Sequence, residues 1–330
     1  MSPRFADRTR EDAEHRELET LAPGATRAVD SKGRAVQEPP DRRRTAFERD
    51  RDRILHSKAF RRLKHKTQVF IDPDGDHFVT RLTHTLQVTQ IGRSLAAYLG
   101  LNEPLTEAIC LGHDVGHSPF GHIGETALSP YVPGGWHHAA QSVRVFTILE
   151  AINLTHEVGD GIRAHSWKID PPPETAEGMV CRFADRIAYL THDVDDAVRA
   201  GVIRHSDLPD AASRVFGQAG SAWIAAMIES VVAASVAADT VTMDPAALEA
   251  MNELREFMFQ RVYLRPEAAT QRDQAVAIIR GLVDHYRADP DAVPETYLQT
   301  GTDRVTAAID YVSGMTDRFA VREWERLGNG

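Results

Sequence analysis

Cysteine and long apolar runs are scarce in this 330-residue sequence. Its two cysteines, Cys110 and Cys181, fall in apolar helical patterns, and we expect buried free thiols of a reducing compartment rather than a disulfide framework. The first residues contain no apolar stretch, so no signal peptide is predicted. The longest apolar stretch, residues 222–238, contains Glu229 and is short for a membrane span, which predicts a buried helix. We therefore expect a cytoplasmic protein without a membrane partner.

An excess of positive charge is also missing. The chain has 38 lysines and arginines against 48 acidic residues, a net charge of -10, so nucleic acid is not expected to be its main partner. The exception is residues 44–66, where a helical pattern is strongly basic. Its basic residues are Arg51, Arg53, Lys58, Arg61, Arg62, Lys64 and Lys66. Such a run is usually a solvated helix face; the alternative, given equal weight, is that part of it contacts phosphates.

Strand patterns are nearly absent too. Only residues 69–71 and 78–79, on either side of an Asp-Pro-Asp-Gly-Asp turn, suggest a small hairpin. Elsewhere apolar residues recur at helical spacing, which predicts an all-α protein. The predicted helices span residues 81–99, 102–116, 174–200, 207–216, 222–238, 245–261, 266–288 and 303–327.

We divide the chain into three parts. Residues 1–45, polar and interrupted by glycine and proline, form an extended N-terminal arm with a short helix near residues 11–21. The arm either packs on the body or on a neighbouring subunit, or it is partly disordered. Residues 46–220 form the core, and residues 221–330 form a C-terminal helical part packed on that core.

Residues 111–125 concentrate groups that a packed core does not need. Three histidines, an aspartate and a glutamate fall among glycines and a proline. The adjacent His113 and Asp114 offer an imidazole and a carboxylate, a pairing suited to a divalent transition metal. Two residues cannot complete a coordination sphere, so further ligands are expected elsewhere in the chain.

Two other helices supply candidates for those ligands. His84 shares the inward face of its helix with Val88 and Ile91; a lone inward histidine is more often a core residue, but the His-Asp pair raises the weight of a ligand role. Asp185 lies beside the core stripe of residues 174–200, and a buried carboxylate is costly unless it is paired or metal-bound. Salt bridges to Arg182 or Arg186 are the alternative. The predicted metal ligands are His84, His113, Asp114 and Asp185.

These residues resemble the HD superfamily of metal-dependent phosphohydrolases, whose ligand order is H…HD…D. The sequence is more specifically similar to the bacterial deoxyguanosine triphosphate triphosphohydrolases and their deoxynucleotide triphosphohydrolase relatives. The segments that carry the resemblance are RDRILHSK (51–58), AFRRLKHKTQVF (59–70), TRLTHTLQVTQIGRS (80–94), HDVGHSPFGHIGE (113–125), ADRIAYLTHDVDDA (184–197) and DYVSGMTDRFA (310–320). One departure is WHHAAQS (136–142), where His138 keeps the histidine of a usual His-Asn pair and Ala139 replaces the asparagine.

The resemblance implies an HD helical bundle and hydrolysis of deoxynucleoside triphosphates (dNTPs) to deoxynucleoside and tripolyphosphate. It also implies a divalent ion, with manganese, magnesium, iron, nickel, cobalt and zinc all left open. The resemblance implies that His122, in the turn after the helix that carries His113, is the general acid, with His117 as the alternative. Glu125 would orient that imidazole or the attacking water. The structural alternatives are that these histidines cap backbone groups and that Glu125 is an acid favoured at a helix N-terminus.

The remaining implied site residues bind substrate. Arg81, one turn before His84, would reach a phosphate, and Tyr189 would exclude a ribose 2′-hydroxyl unless it only fills the core. The full predicted set is Gln68, Arg62, Lys66, Arg81, His138, Arg186, Tyr189 and Asp193, with Gln68 and Asp193 at the sugar 3′-hydroxyl. The resemblance further implies a homo-oligomer, a tetramer or hexamer, with a possible dNTP effector. Another HD phosphohydrolase activity (a nucleotide monophosphatase or phosphodiesterase) and a catalytically silent nucleotide-binding regulator remain the alternatives.

Overall fold

The structure is a computed structural model that describes residues 5–68, 79–266, 269–298 and 302–328. These ranges contain fifteen α-helices and, besides two isolated bridges, no strand pairing. The helices are α1 (Arg10–Thr20), α2 (Ala46–His56), α3 (Lys58–Arg62), α4 (Arg81–Leu99), α5 (Glu103–Gly112), α6 (His122–Leu128), α7 (His138–Arg144), α8 (His156–Ala164), α9 (Ala176–Arg199), α10 (Asp210–Phe216), α11 (Ser221–Ala238), α12 (Pro245–Met258), α13 (Ala269–Ala288), α14 (Arg304–Gly314) and α15 (Asp317–Arg326). The all-α prediction is confirmed. The predicted hairpin lies almost wholly outside the described residues.

Several predicted helix boundaries differ from the observed ones. The single helix predicted for residues 303–327 is wrong, because the chain breaks at Met315 and Thr316 caps a new helix by accepting a hydrogen bond from the Phe319 backbone N–H. Helices α6, α7 and α8 were not predicted. Each has only seven to nine residues, which offers too few turns for a clear 3.6-residue period.

The larger core is built around α4, α5 and α9. Their inward faces carry fully buried aliphatic side chains such as Leu95, Ile109 and Leu190, each of which contributes roughly 1.5–3 kcal/mol of transfer free energy. Gly92 allows α4 to approach α5 closely, since a Cβ there would lie 2.7 Å from the Cys110 sulfur. These three helices therefore hold the groups at their ends in a rigid frame.

The smaller core joins α6 to the C-terminal helices α13, α14 and α15. Phe120 and Leu128 pack there with Ile279, Leu282 and Val312. This cluster anchors the segment that follows the His-Asp pair, although that segment is far away in sequence from the C-terminal helices. The segment's position is therefore set by tertiary packing and not by local propensity.

The N-terminal arm contacts the body along α9 and α5. Thr26 donates from its backbone N–H and its hydroxyl to the Glu177 carboxylate at 3.0 and 2.9 Å, and Asn102 donates to the Thr26 carbonyl at 3.0 Å. Arg34 pairs with the buried Asp50. The arm thus packs on the body of its own chain. The division of the chain into three parts stays a prediction.

The prediction of a buried helix at residues 222–238 needs correction, because α11 is buried along one face only. Only Trp223, Met227, Val231 and Ser235, spaced four residues apart, are buried, and the other faces are partly or fully exposed. The sequence could not show this because small apolar residues of the helix itself occur on every one of its faces. In the described part of the chain, α11 is the one helix long and apolar enough to cross a membrane, by length and composition only, with 22% of it buried.

Candidate metal and active site

Three helices bring the four predicted metal ligands together. His84 comes from α4, His113 and Asp114 follow the last turn of α5, and Asp185 comes from α9. His84 Nε2 lies 3.1 Å from Asp185 Oδ1, and His113 Nε2 lies 3.8 Å from the same oxygen and 3.5 Å from Asp114 Oδ1. The donor atoms of His84, His113 and Asp185 all lie within 4.8 Å of one another. We call these four residues the floor of the site.

The floor fits a divalent cation. His113 Nδ1 donates to the Cys110 carbonyl oxygen at 2.7 Å, so its Nε2 presents a lone pair to the two aspartates. That buried nitrogen has no hydrogen-bond partner. A carboxylate cannot donate to it, and a buried acceptor without a partner costs about 1–3 kcal/mol. A cation shared with Asp114 and Asp185 would satisfy all three groups, and the mixed imidazole and carboxylate donors suit a transition ion or magnesium with added waters.

The floor carboxylates are held in their ionised form. Burial raises the pKa of Asp185, but the hydrogen bond from His84 and the charge of His113 outweigh it and lower the pKa to about 2. Burial likewise opposes the ionisation of Asp114, and the charges of His113, His117 and Arg81 outweigh it, so its pKa lies well below the usual range. Both carboxylates are therefore negative at neutral pH and attract a cation.

Arg81 packs directly against the floor. Its Nη1 donates to Asp114 Oδ2 at 2.5 Å and its Nη2 donates to the Thr67 carbonyl at 3.1 Å, and the residue is buried. The sequence predicts Arg81 near a phosphate beside the metal, and the structure places it against the predicted ligand Asp114. Its observed partner, however, is a floor carboxylate.

His122 and Glu125 form what we call the rim of the site. They begin α6 after a tight turn in which Phe120 and Gly121 adopt positive φ values of 61° and 57°. The turn leaves the His122 side chain 74% exposed, with its Nδ1 3.2 Å from Glu125 Oε2. Burial raises the pKa of Glu125, but hydrogen bonds from His122 and His138 outweigh it and hold the pKa far below the usual range. The ionised carboxylate thus accepts the Nδ1–H and leaves the other imidazole nitrogen free to act.

Two further histidines lie between floor and rim. His117 stacks on His138 with centroids 4.0 Å apart, and its Nε2 is 3.4 Å from Asp114 Oδ1. Burial, with the charges of Arg81 and His138, lowers the pKa of His117 well below its usual value. His138 donates from Nδ1 to Glu125 Oε1 at 3.3 Å. The predicted set His117, His122, Glu125 and His138 is therefore brought into one cluster.

His165 is a site residue that the sequence analysis missed. It follows α8, is buried, and its ring lies 5.0 Å from that of His113. Burial, followed by the charges of His113 and His138, lowers its pKa to about 3. The signal was present, because Val158, Ile162 and His165 follow steps of four and three on an inward helix face. It was overlooked because the helix itself was not predicted.

Asp193 lies two turns beyond Asp185 on α9, together with the predicted Tyr189 and with Tyr263, which was not predicted. Tyr263 donates its hydroxyl to Asp193 Oδ2 at 2.5 Å. Burial raises the pKa of Asp193 to about 7 and that of Tyr189 to about 12. Gln68 carries a buried side-chain oxygen without a hydrogen-bond partner. These groups can present hydrogen bonds to a polar ligand.

The burial and the partners of Lys66 disagree with its predicted contact with a phosphate. It is 2% exposed, and its ammonium donates to the carbonyl oxygens of His117 and Ser313, the latter at 3.1 Å. Burial lowers its pKa well below the usual value. The sequence placed Lys66 in a basic run and could not show that it is drawn inward to bind the loop after Asp114.

The contacts of Arg62 and Arg186 give no support to their predicted phosphate roles. Arg62 lies 3.8 Å from Glu150 and lines a cavity of about 110 Å³ on the Gly116 side of the loop. Arg186 lies over the Trp167 ring, 4.0 Å from its centroid, and donates to Asn252 at 3.2 Å. Both cations are engaged by partners outside the floor.

The basic run at residues 44–66 is largely neutralised by acidic neighbours. Arg51 pairs with Asp52 and lies near Glu107, and Arg53 pairs with Glu38. Lys58 and Lys64 are exposed to solvent. This distribution matches the solvated-face interpretation of the run and provides no continuous positive strip.

C-terminal residues that the sequence analysis did not single out hold the loop between floor and rim. Asp317 accepts hydrogen bonds from the backbone N–H groups of Thr67 and Phe120 at 2.9 and 3.1 Å. From α7, the Ser142 hydroxyl donates to the His113 carbonyl and accepts from the Gly116 N–H. A Cβ at Gly116 would lie 2.2 Å from the Ser142 nitrogen, so only glycine permits this approach.

Known families match both halves of this arrangement. The HD domain family matches residues 81–190, which contain all four floor residues, and the phosphohydrolase-associated domain family matches residues 241–326. A deoxyguanosinetriphosphate triphosphohydrolase-like protein of Caldanaerobacter subterraneus subsp. tengcongensis is 43% identical over 97% of this chain and 96% of its own length. The chain belongs to this family of HD proteins.

Other members of the family show similar agreement. Proteins of the same description from Desulfatibacillum aliphaticivorans and Clostridium perfringens are 43% and 41% identical, each over 96% of this chain and 97% of their own length. The resemblance found in the sequence is therefore confirmed. Membership supports a phosphohydrolase that uses a divalent metal, and the His/Asp cluster could hold such an ion.

Proposed function

We propose that this protein hydrolyses deoxynucleoside triphosphates, dGTP or several dNTPs, at the α-phosphorus. The products are the deoxynucleoside and intact tripolyphosphate. The observation that carries the proposal is the convergence of His84, His113 and Asp185, with Asp114 Oδ1 3.5 Å from His113 Nε2. The exposed His122, paired with Glu125, completes the arrangement. The described relatives, named deoxyguanosinetriphosphate triphosphohydrolase-like proteins, support the choice of substrate class.

The floor residues would hold the divalent ion. When bound, such an ion lowers the pKa of a coordinated water and polarises a phosphoryl oxygen. His113 and His84 present ring nitrogens, and Asp114 and Asp185 present the negative charge that retains a cation. Arg81 limits the local negative charge through its contact with Asp114.

The rim would supply the proton that the leaving group needs. The sugar 5′-oxygen leaves poorly as an alkoxide, so a general acid must protonate it. Glu125 accepts the His122 Nδ1–H and stabilises the imidazolium, and His122 Nε2 then gives its proton to the 5′-oxygen. His117 and His138, between rim and floor, would contact the phosphates.

The sugar would lie toward Asp193. Asp193 lies eight positions after Asp185, about 12 Å along the axis at 1.5 Å per residue, enough for a nucleotide laid along α9. Asp193 and Gln68 would bind the 3′-hydroxyl, while the Tyr189 ring would occupy the space of a 2′-hydroxyl. A Tyr189→Ala variant should then hydrolyse ATP or GTP measurably. If ribonucleotides remain excluded, Tyr189 does not discriminate between the sugars.

The predicted assembly and location remain part of the proposal. We expect a cytoplasmic homo-oligomer, a tetramer or hexamer, that can respond to a dNTP effector. Light scattering of the full chain with and without each dNTP measures the mass of the assembly. A monomeric mass under every condition contradicts this part and leaves the catalytic proposal unaffected.

Product identification tests the proposed reaction. The protein is incubated with each of the four dNTPs, with manganese and with magnesium, and the products are separated by anion exchange. Tripolyphosphate and deoxynucleoside are expected in equal amounts. Orthophosphate as the released product would instead support the monophosphatase alternative. Retention of bound dNTP without turnover would support a silent regulator.

A further inference from the structure

The cavity of about 110 Å³ beside Gly116 lies outside the floor and the rim. Its walls come from α3, from the loop after Asp114, from α7 and the residues that follow it, and from α14. One water needs roughly 10–15 Å³ by this measure, so the cavity holds several water-sized groups. Pockets for drug-sized ligands run to about 300–1,000 Å³. A nucleoside triphosphate is therefore too large for the cavity, whereas a single phosphate group is of suitable size.

Two cations on the α3 wall retain capacity for a further partner. The exposed Lys58 pairs its ammonium with no carboxylate in the described part of the chain. Arg62 approaches Glu150 only to 3.8 Å, beyond hydrogen-bond distance, and its buried Nε has no hydrogen-bond partner among the described residues. A buried donor without an acceptor is costly, and an anion in the cavity would satisfy this nitrogen.

The two carboxylates that line the cavity are already engaged. Glu150 accepts the backbone N–H groups of Lys58 and Ala59 at 2.8 and 2.7 Å, so it occupies the beginning of α3. Asp310 is buried and accepts from Arg144 Nη2 at 2.7 Å. With Arg144 and the two cations of α3, three positive charges stand against these two negative ones. The balance of charge around the cavity therefore favours an anion.

Gly314 leaves space for an anion next to two donors. A Cβ at this position would lie 3.0 Å from the Tyr297 hydroxyl oxygen and 3.8 Å from Arg62 Nη2. An oxygen atom in the same space can therefore accept from both a hydroxyl and a guanidinium. Guanidinium groups suit phosphate oxygens because their planar set of N–H donors matches the spacing of those oxygens.

We propose that this cavity binds one phosphate group, held by Lys58, Arg62 and the Tyr297 hydroxyl. The group belongs either to free orthophosphate or to the end of a polyphosphate chain, which can extend through the side where Lys58 is exposed. The phosphate site is independent of the proposed function, since none of its residues belongs to the floor or the rim. Bound phosphate would link α3 to α14 beside the loop that follows Asp114.

Calorimetric titration of the full-length protein with inorganic phosphate, at constant ionic strength in chloride, tests the phosphate site. One phosphate per chain is expected. Lys58→Gln should raise the Kd about tenfold, the usual effect of losing one hydrogen bond to a charged group. Gly314→Ala should abolish binding, because its methyl group fills the space beside Arg62 and Tyr297. Lys64→Gln is the matched control, an exposed lysine of the same basic run that does not line the cavity, and its Kd should equal the native value.

A floor variant separates the phosphate site from the proposed active site. Asp185→Ala lacks a floor carboxylate and should still bind one phosphate, and loss of binding there would place the anion at the floor and overturn the proposal. No binding by the native protein, or an unchanged Kd in Lys58→Gln, also overturns it. These two measurements decide the question even if Gly314→Ala does not fold, which circular dichroism would reveal.

Tripolyphosphate titrated into Asp185→Ala distinguishes the two sources of the phosphate group. A Kd at least tenfold below that of orthophosphate assigns the site to the end of a polyphosphate chain, and any other ratio assigns it to free orthophosphate. Failure of the protein to release tripolyphosphate from any dNTP would overturn the proposed function and leave the phosphate site unaffected.

Discussion

The floor and the rim of the candidate site differ in burial although both are built from histidine and carboxylate. The floor imidazoles of His84 and His113 are 2% and 0% exposed, whereas the His122 side chain is 74% exposed. The buried floor nitrogens face two ionised carboxylates, so they are suited to a cation. An exposed histidine beside an ionised carboxylate can take up and release a proton. Identical side chains are thus suited to two chemical purposes because of where the fold places them.

The two regions also differ in what holds them. The floor residues come from the long helices α4, α5 and α9 and move only if the larger core moves. The rim begins a short helix after a turn with two positive φ values, and it is fixed by Asp317 and by the smaller core. Changes in the floor should therefore affect ion binding, and changes in the rim should affect turnover alone.

Removing a floor carboxylate should have the largest effect. Asp185→Ala leaves His84 and His113 without a shared anion, and we expect lost ion binding at the floor and a fall in kcat of about 10³-fold or more. Elemental analysis and tripolyphosphate release measure the two effects. Asp195→Ala, on the same helix, is the control and should retain both. Normal turnover in Asp185→Ala would remove this residue from the floor.

Removing the rim imidazole should separate turnover from ion binding. His122→Ala deletes the proposed acid, and the usual contribution of general acid catalysis is about 10²–10⁴-fold in kcat. Because the side chain is exposed, the free energy of unfolding should change by less than about 0.5 kcal/mol. The ion content should equal that of the native protein. An unchanged kcat would show that another group protonates the leaving oxygen.

Loosening the support of the rim should give an intermediate effect. Asp317→Ala leaves the Thr67 and Phe120 N–H groups without their acceptor and should destabilise the fold by about 1–3 kcal/mol. A slight displacement of the rim should lower kcat about tenfold at full ion occupancy. Thermal melting, kcat and ion content are measured for this variant and for the control Arg318→Ala, which changes an exposed neighbouring residue. Loss of the ion with normal kcat per bound ion would contradict the division into floor and rim.

Substitution of Asp193 should have an effect on stability that depends on pH. Asp193 lies on the same helix as Asp185, yet burial raises the pKa of Asp193 to about 7, whereas the hydrogen bond from His84 and the charge of His113 lower the pKa of Asp185 to about 2. A raised carboxyl pKa stabilises the fold below the unfolded value near 4, and this stabilisation is lost as pH rises through 7. Asp193→Asn removes the buried charge and should gain on the order of 2–4 kcal/mol over the native protein at pH 8, with no gain at pH 4. Denaturant unfolding at pH 4 and pH 8 measures the free energy of unfolding of both proteins. Equal gains at the two pH values would refute the raised pKa of Asp193.

Helical periodicity was enough to predict most of the fold and the floor. The inward faces of α4, α5 and α9 follow directly from steps of three and four residues, and those steps placed His84 and His113 correctly. The ligand order along the chain then indicated the family. The short helices α6 to α8 escaped the same reasoning because one or two turns show no clear period, and His165 was missed with them.

The amino-acid sequence by itself determined which groups can bind a cation and that long amphipathic helices carry them, because residue chemistry and helical spacing are local properties. Only the tertiary structure decided which of the cationic residues reach the site. Lys66 is withdrawn into the protein, Arg186 covers Trp167, and Asp317 supports a loop almost two hundred positions earlier in the chain. Such pairings depend on how distant helices pack, and no periodicity within a single segment encodes them.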